Sequence, residues 1–156
     1  MPVPAIRYDD LPALEAAVSA DFGPWGPAFR VTQELISAFG RMTRDEFWLH
    51  TDPERARRDS PTGTTIAHGF LVLALTPALA MGNPLEVTGF RRVFNAGLDR
   101  LRFVAPVPVD SEIAGRMRLA GVEAGKRGTR LRFEVQIQVV GAAAPAVVYE
   151  LLVAYE

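Results

Sequence analysis

The clearest pattern in the chain is a strict alternation of polar and apolar residues near its C-terminus. Over residues 130–139 every second side chain is apolar, which is typical of a β-strand with one buried and one solvated face. Residues 113–119 alternate in the same way, and 121–129 between these two segments predict a turn. Residues 146–155 are apolar on both faces, as in a central strand. Two further strands are predicted over 87–94 and 98–104.

An uncharged, mostly apolar run over residues 66–81 precedes these strands. It predicts a helix that is capped by Thr64 or Thr65 and stopped by residues 82–84. Because a helix that is apolar on all sides must be covered, we expect the strands to wrap around it. The result is an α+β architecture, an antiparallel sheet curled around a central apolar helix, which is the shape of a hot-dog fold. A single sheet layer leaves an edge uncovered, which favours a homodimer.

The first sixty residues predict shorter elements. Residues 11–20 suit a short helix, and 22–27 are rich in glycine and proline. A short strand over 29–31 is followed by Thr32, which suits the N-cap of a helix. Asp52 and Pro53 are expected to begin another short helix over 54–58. These boundaries divide the chain into an N-terminal extension, 1–27, and a single domain, 28–156.

Composition narrows the function classes. The 156 residues correspond to about one domain, with 49% apolar and 22% charged residues. Cysteine is absent, which excludes disulfides, thiolate metal sites and a cysteine nucleophile. The net charge of −1 gives no electrostatic reason to expect nucleic acid or an anionic membrane as a partner. Without a signal-peptide pattern at the N-terminus, the sequence predicts a cytoplasmic protein.

One of the two histidines lies five residues after an aspartate in a polar stretch. Asp45 and His50 are separated by aromatic and aliphatic residues, including Phe47 and Trp48. A carboxylate and an imidazole that share one water in a dry pocket suit general acid–base catalysis, because burial moves both pKa values toward neutrality. The alternative is a surface loop with a solvated histidine.

The other histidine precedes a glycine in the first turn of the predicted apolar helix. The N–H of Gly69 would have no partner within the helix, and it could donate to a developing oxyanion. Alternatively, Gly69 only permits close packing, and His68 is a buried core histidine. Two histidines without cysteine or an HExxH pattern do not predict a metal site. The basic pairs 57–58 and 91–92 suit a solvated surface or the phosphates of an anionic ligand.

Four segments together resemble a known family. They are residues 31–39, 43–56, 65–71 and 94–107, which carry an Asp-x4-His motif followed by Ile-Ala-His-Gly. The chain resembles the MaoC-like dehydratases, the hot-dog group that contains the (R)-specific enoyl-CoA hydratases, and in particular their nodulation-protein-N-like branch. The order of the two motifs is more specific than either motif alone.

The resemblance implies syn hydration of a trans-2-enoyl thioester, carried by CoA or a carrier protein, or the reverse reaction. It implies that Asp45 acts as the base toward water, that His50 supplies a proton to C2, and that the N–H of Gly69 holds the thioester oxygen. No metal or redox cofactor is implied. The residues expected to contact the substrate are His68, Phe47, Trp48 and Arg92.

The chain departs from the family pattern at three places. Arg44 replaces a glycine before the aspartate, and Phe47 replaces an amide residue two positions after it. On the central helix, Thr76 is the nearest candidate for a polar supporting residue. A non-catalytic subunit that binds acyl thioesters or a partner protein therefore stays open as a second class of function. A hot-dog thioesterase is a third, which an Asp–His pair suits less well.

Overall fold

The protein is described by a computed structural model that covers residues 3–156, so the first two residues of the predicted extension lie outside the described part. The helices are α1 (Leu11–Ala16), α2 (Gln33–Thr43), α3 (Trp48–Thr51), α4 (Pro53–Asp59), α5 (Gly69–Ala74) and a 3₁₀ turn (Thr76–Leu79). The strands are β1 (Ala5–Arg7), β2 (Phe29–Arg30), β3 (Glu86–Thr88), β4 (Val93–Phe103), β5 (Glu112–Ala124), β6 (Thr129–Val139) and β7 (Val147–Tyr155). No helix in this described range is long and apolar enough to cross a membrane.

Five strands form the main sheet in the order β2-β5-β6-β7-β4, and every neighbouring pair is antiparallel. On β6 the predicted alternation buries one face, and Val135 lies opposite Met117 on β5 and Tyr149 on β7. Leu71, Val72 and Leu79, from α5 and the 3₁₀ turn, belong to the same core as these strands. The predicted α+β fold, an antiparallel sheet around an apolar helix, is confirmed.

The central helix is shorter than predicted. Residues 65–67 are not helical because they pair with 107–109, through Ala67 N–H to the Val107 carbonyl at 2.8 Å and Val109 N–H to the Thr65 carbonyl at 2.9 Å. The helix therefore begins at Gly69, and the expected cap at Thr64 or Thr65 is wrong. After Ala74 the chain continues as the 3₁₀ turn, in which Pro77 supplies no N–H.

The helix is also not covered on all sides within one chain. Phe70 is 66% exposed, whereas Leu71 and Val72 are buried against the sheet. The helix is therefore apolar on two faces. One face packs on the sheet of the same chain, and the face with Phe70 is exposed.

The segment around 87–104 differs from the prediction as well. Instead of strands over 87–94 and 98–104, the structure has β3 and one long β4, whose pairing with β7 shifts register between Asn95 and Gly97 and between Asp99 and Arg102. β3 pairs in parallel with β1, away from the main sheet. Extra residues inserted in β4 at the two shifts leave one continuous strand where two were predicted.

The N-terminal residues pack on the same core as the rest of the chain. Leu14 on α1 is fully buried. Ser19, Gly23 and Gly26 donate main-chain N–H groups to carbonyls along β5 at 2.8–3.1 Å. This segment covers the β5 edge of the sheet, so that β4 is the long strand left at the other edge.

Candidate active site

Asp45 lies in the sharp turn that joins α2 to α3. Helix α2 ends where Arg44 takes a left-handed conformation, with φ of 62°. The turn lies directly on α2, since a Cβ on Gly40 would come within 2.9 Å of the Asp45 carbonyl oxygen. The Asp45 side chain is 58% exposed, so its carboxylate faces solvent from a fixed main chain.

His50 on α3 is held through both its ring and its main chain. Its Nδ1 lies 2.7 Å from the carbonyl oxygen of Ile66. Because a carbonyl only accepts, Nδ1 carries the hydrogen, and Nε2 is the ring nitrogen left to exchange a proton. The side-chain amide of Gln33 donates to the His50 carbonyl at 2.8 Å.

His68 joins these two residues. Its Nε2–H donates to the main-chain carbonyl of Asp45 at 2.8 Å, and the Asp45 carboxylate lies 4.0 Å from the same nitrogen. The His68 ring stacks on that of His50, with 3.8 Å between centroids and 25° between planes. The structure therefore brings Asp45, His50 and His68 together, with Gly69 next in the chain.

A pocket of about 290 Å³ adjoins this cluster. His50 and Gly69 form part of its lining, and the rest is mostly apolar, including Val72, Phe103 and Val147. Among residues 3–156 the N–H of Gly69 has no hydrogen-bond partner. A Cβ at Gly69 would lie 2.8 Å from the Phe103 ring, so glycine is needed for this close approach. The pocket thus offers one free main-chain donor beside an imidazole.

A larger cavity, of about 550 Å³, lies farther along the helix. Leu73, Thr76 and Tyr149 are part of its mostly apolar wall. The Thr76 hydroxyl donates to the Leu73 carbonyl, so the Tyr149 hydroxyl is the donor in the 2.6 Å contact between the two side chains. Burial raises the pKa of Tyr149 to about 12. Thr76, expected as a polar support for the site, supports this cavity instead.

Of the other residues predicted to contact the substrate, Phe47 and Trp48 lie near the Asp45–His50 pair and Arg92 lies far from it. The Phe47 ring is exposed, with its centroid 6.5 Å from that of His50, and Trp48 packs against it at 5.4 Å. Arg92 forms an ion pair with Glu156 at 2.9 Å, just before β4 begins. The pocket lies at the other end of this 11-residue strand, roughly 30 Å away, so one chain does not bring Arg92 to the pair.

Several groups at the site had no signal in the sequence. Gln33, the Ile66 carbonyl and Phe103 come from segments 16 to 53 positions away from His50 along the chain. Nothing in their spacing indicates the contact, because each depends on how distant elements pack. Tyr149 lies in the segment that is apolar on both faces, which predicted burial but not its hydrogen bond to Thr76.

The donor atoms of Asp45, His50 and His68 lie within 4.8 Å of one another, a spacing that a metal ion could bridge. However, imidazole lone pairs lie in the ring plane, and the two rings are stacked nearly parallel. His50 Nδ1 and His68 Nε2 also donate to main-chain carbonyls, which leaves one nitrogen on each ring and makes the cluster poorly suited to an ion.

The fold and the site together define a class: an antiparallel sheet around an apolar helix, with an aspartate and a histidine beside a free main-chain donor. The model of a family described as the MaoC-like domain matches residues 25–140. The chain is 44% identical to 3-hydroxyacyl-thioester dehydratase Z of Mycobacterium tuberculosis over 126 residues, 80% of this chain and 82% of the relative. It is 37% identical to nodulation protein N of Rhizobium leguminosarum bv. viciae, over 74% of this chain and 73% of that protein.

Solved structures agree on the fold. An (R)-hydratase from A. caviae involved in PHA biosynthesis matches with a TM-score of 0.68 and 24% identity, over 88% of this chain and 98% of that one. A monoamine oxidase regulatory protein from Archaeoglobus fulgidus matches with a TM-score of 0.68 and 19% identity, over 99% of both chains. The chain belongs to the MaoC-like dehydratase family, as its motifs predicted, and is an enzyme of the hydratase/dehydratase class.

Proposed function

We propose that the protein adds water to trans-2-enoyl thioesters and catalyses the reverse dehydration of (R)-3-hydroxyacyl thioesters. The observation that carries this proposal is the Asp45–His50 pair beside the unpaired N–H of Gly69, at an apolar pocket. A carboxylate and an imidazole suit removal and delivery of protons, and a fixed N–H suits the charge that develops on a thioester oxygen. The name of the 44%-identical relative, a 3-hydroxyacyl-thioester dehydratase, supports the same chemistry.

In the hydration direction, Asp45 accepts a proton from water as the water oxygen forms its bond to C3. The π electrons of the C2–C3 bond shift toward the thioester carbonyl, whose oxygen accepts a hydrogen bond from Gly69. Nε2 of protonated His50 then delivers a proton to C2. Because the donor atoms of Asp45 and His50 lie within 4.8 Å of each other, both new bonds form on one face of the double bond.

The hydrogen bonds at the site determine which ring nitrogen of His50 can transfer a proton. Nδ1–H of His50 is committed to the Ile66 carbonyl, so only Nε2 exchanges its proton with the substrate. After one hydration Asp45 is protonated and His50 is neutral. The exposed Asp45 carboxyl then releases its proton to solvent, and Nε2 of His50 takes one up, which restores the starting state. Water and substrate balance every atom and electron, so the proposal requires neither a metal nor a redox cofactor. The cytoplasm stays the predicted compartment for this cysteine-free chain.

The acyl part of the substrate is proposed to occupy the larger cavity. Val147 lines the pocket beside His50, and Tyr149, two residues later on β7, lines the larger cavity. Side chains two apart on a strand share a face, so the two spaces are neighbours along the inner face of β7. A largely apolar space of about 550 Å³ falls in the usual range of ligand pockets. The CoA or carrier arm would then pass the aromatic residues Phe47 and Trp48, which lie beside His50.

We also propose that the protein is a homodimer that pairs through the β4 side of the sheet. The apolar side chains that are exposed on and beside this strand include Val93, Phe94, Leu98, Phe103 and Val104. The face of α5 that carries Phe70 is exposed as well.

Light scattering should give a dimer for wild type at micromolar concentration and a monomer for Phe94→Glu. Val140→Glu changes an equally exposed residue at the end of β6 and should stay dimeric; a monomeric wild type would contradict the proposal.

The activity is tested by incubating the protein with crotonyl-CoA and following the loss of enoyl absorbance, with chiral analysis of the product. We expect (R)-3-hydroxybutyryl-CoA. Asp45→Asn should abolish most turnover, whereas Asp52→Asn, a matched loss of charge at the cap of α4, should leave it nearly unchanged. A protein that binds enoyl thioesters but never turns them over would favour the non-catalytic subunit, and Arg44 and Phe47 would then explain the loss.

A further inference from the structure

His68 is buried to an extent that is unusual for a titratable residue. It is 3% exposed, and its Nδ1 is the one buried side-chain nitrogen or oxygen between residues 3 and 156 that lacks a hydrogen-bond partner. Because Nε2–H donates to the Asp45 carbonyl, Nδ1 of the neutral ring is an unprotonated acceptor. A buried acceptor without a donor costs free energy, so an apolar residue would suit packing alone better.

The position of the ring suggests what offsets this cost. One edge of His68 holds the main chain of Asp45, and one face stacks on His50. Phe39 also packs against the ring, with 5.2 Å between centroids. The hydrogen bond goes to the Asp45 carbonyl and leaves the carboxylate free. His68 therefore contacts both members of the pair without occupying either reactive group.

We propose that His68 is a positioning residue that sets the geometry of Asp45 and His50 with respect to one shared water. The inference rests on the proposed hydratase function. The N–H of His68 fixes the turn that carries Asp45, and its ring plane fixes that of His50, whose own Nδ1–H is held by Ile66. A misplacement of about 1 Å at a reacting group costs about 10²-fold in rate, so removing both contacts should lower kcat more than KM.

Three variants separate the two contacts. His68→Gln keeps an N–H donor near the same place but removes the ring, and His68→Phe keeps the ring but removes the donor. His68→Leu keeps an apolar side chain and removes both. We expect kcat for crotonyl-CoA to fall about 10²-fold in His68→Leu and less in the other two, with KM changed by about threefold or less. Thr129→Val, another buried polar residue far from the pocket, should keep wild-type kcat.

A second measurement is made on the wild-type protein and does not depend on whether the His68 variants fold. The chain has two histidines, so ¹⁵N-labelled histidine gives two ring systems that His50→Ala assigns. The geometry predicts opposite neutral tautomers, Nδ1–H for His50 and Nε2–H for His68. The same tautomer in both rings would overturn the inference. The inference would also be overturned if His68→Leu folds and keeps the wild-type kcat while Asp45→Asn still abolishes turnover. A wild type without turnover would instead overturn the proposed function.

Discussion

Replacing Gly69 by alanine tests the role of its N–H more selectively than any change of side-chain charge. A Cβ at this position would lie 2.8–3.0 Å from three atoms of the Phe103 ring. Carbon atoms pack best at about 3.5–4.0 Å, so the ring must move by roughly 0.7 Å or more. Phe103 is 47% exposed within one chain and is not part of the chain's own core, so its ring can turn aside against Phe70 without disturbing that core.

The stability of the fold should therefore change little. Moving an exposed ring is inexpensive, and alanine is better than glycine in a helix by up to about 1 kcal/mol. We expect the free energy of unfolding of Gly69→Ala, measured by urea denaturation, to stay within about 1 kcal/mol of wild type.

Activity should fall much more. The new methyl group would stand next to the unpaired N–H and would displace the thioester oxygen from it. Loss of one oxyanion donor typically costs about 10²–10³-fold in kcat, and we expect a loss near the lower end because the donor itself remains. The assay is the initial rate of crotonyl-CoA hydration at saturating substrate.

A second variant separates the methyl group from the displaced ring. Gly69→Ala combined with Phe103→Ala removes the clash, and the loss should persist if the methyl itself blocks the N–H. Recovery in the double variant would assign the loss to the ring. A stable Gly69→Ala that keeps its kcat within about twofold would refute the role of this N–H in binding the oxyanion.

Two further predictions concern the core and the pH response. Leu14→Ala should lower the free energy of unfolding, measured by urea denaturation, by about 2–5 kcal/mol because Leu14 is fully buried. Val18→Ala, at an exposed position nearby, should lower it little. Equal losses would mean that α1 is not part of the core. Burial raises the pKa of Tyr149 from 10 to about 12, so between these values the unfolded chain loses a proton that the folded one keeps. Stability should therefore be complete below pH 10 and decline as the pH rises toward 12, and Tyr149→Phe should remove part of that decline; identical pH curves for the two proteins would contradict the burial of this phenol.

The strands with strict alternation were more predictable than the helix, for a physical reason. Alternation along 130–139 reports a half-buried strand directly, and β6 spans Thr129–Val139. The apolar run over 66–81 reports burial but not conformation. Its first residues pair with 107–109 instead of forming a helical turn, and this pairing depends on a segment some forty residues away.

The same holds for the site: features that depend on residues close in sequence were predictable, and contacts between distant segments were not. The spacing of Asp45 and His50 indicated acid–base chemistry, and the structure brings them near Gly69. The tautomer of His50 depends on the Ile66 carbonyl, and the contact between His68 and Asp45 spans 23 positions. No pattern within a short window contains such contacts, since tertiary packing alone creates them.

The most direct test of the central claim is a double-mutant cycle on the pair. Asp45→Asn and His50→Ala should each lower kcat for enoyl-thioester hydration by about 10²–10⁴-fold. The double variant should lose far less than the product of the two losses, because both groups act on one water. If wild type hydrates the substrate and Asp45→Asn keeps nearly full turnover, the shared-water mechanism is contradicted.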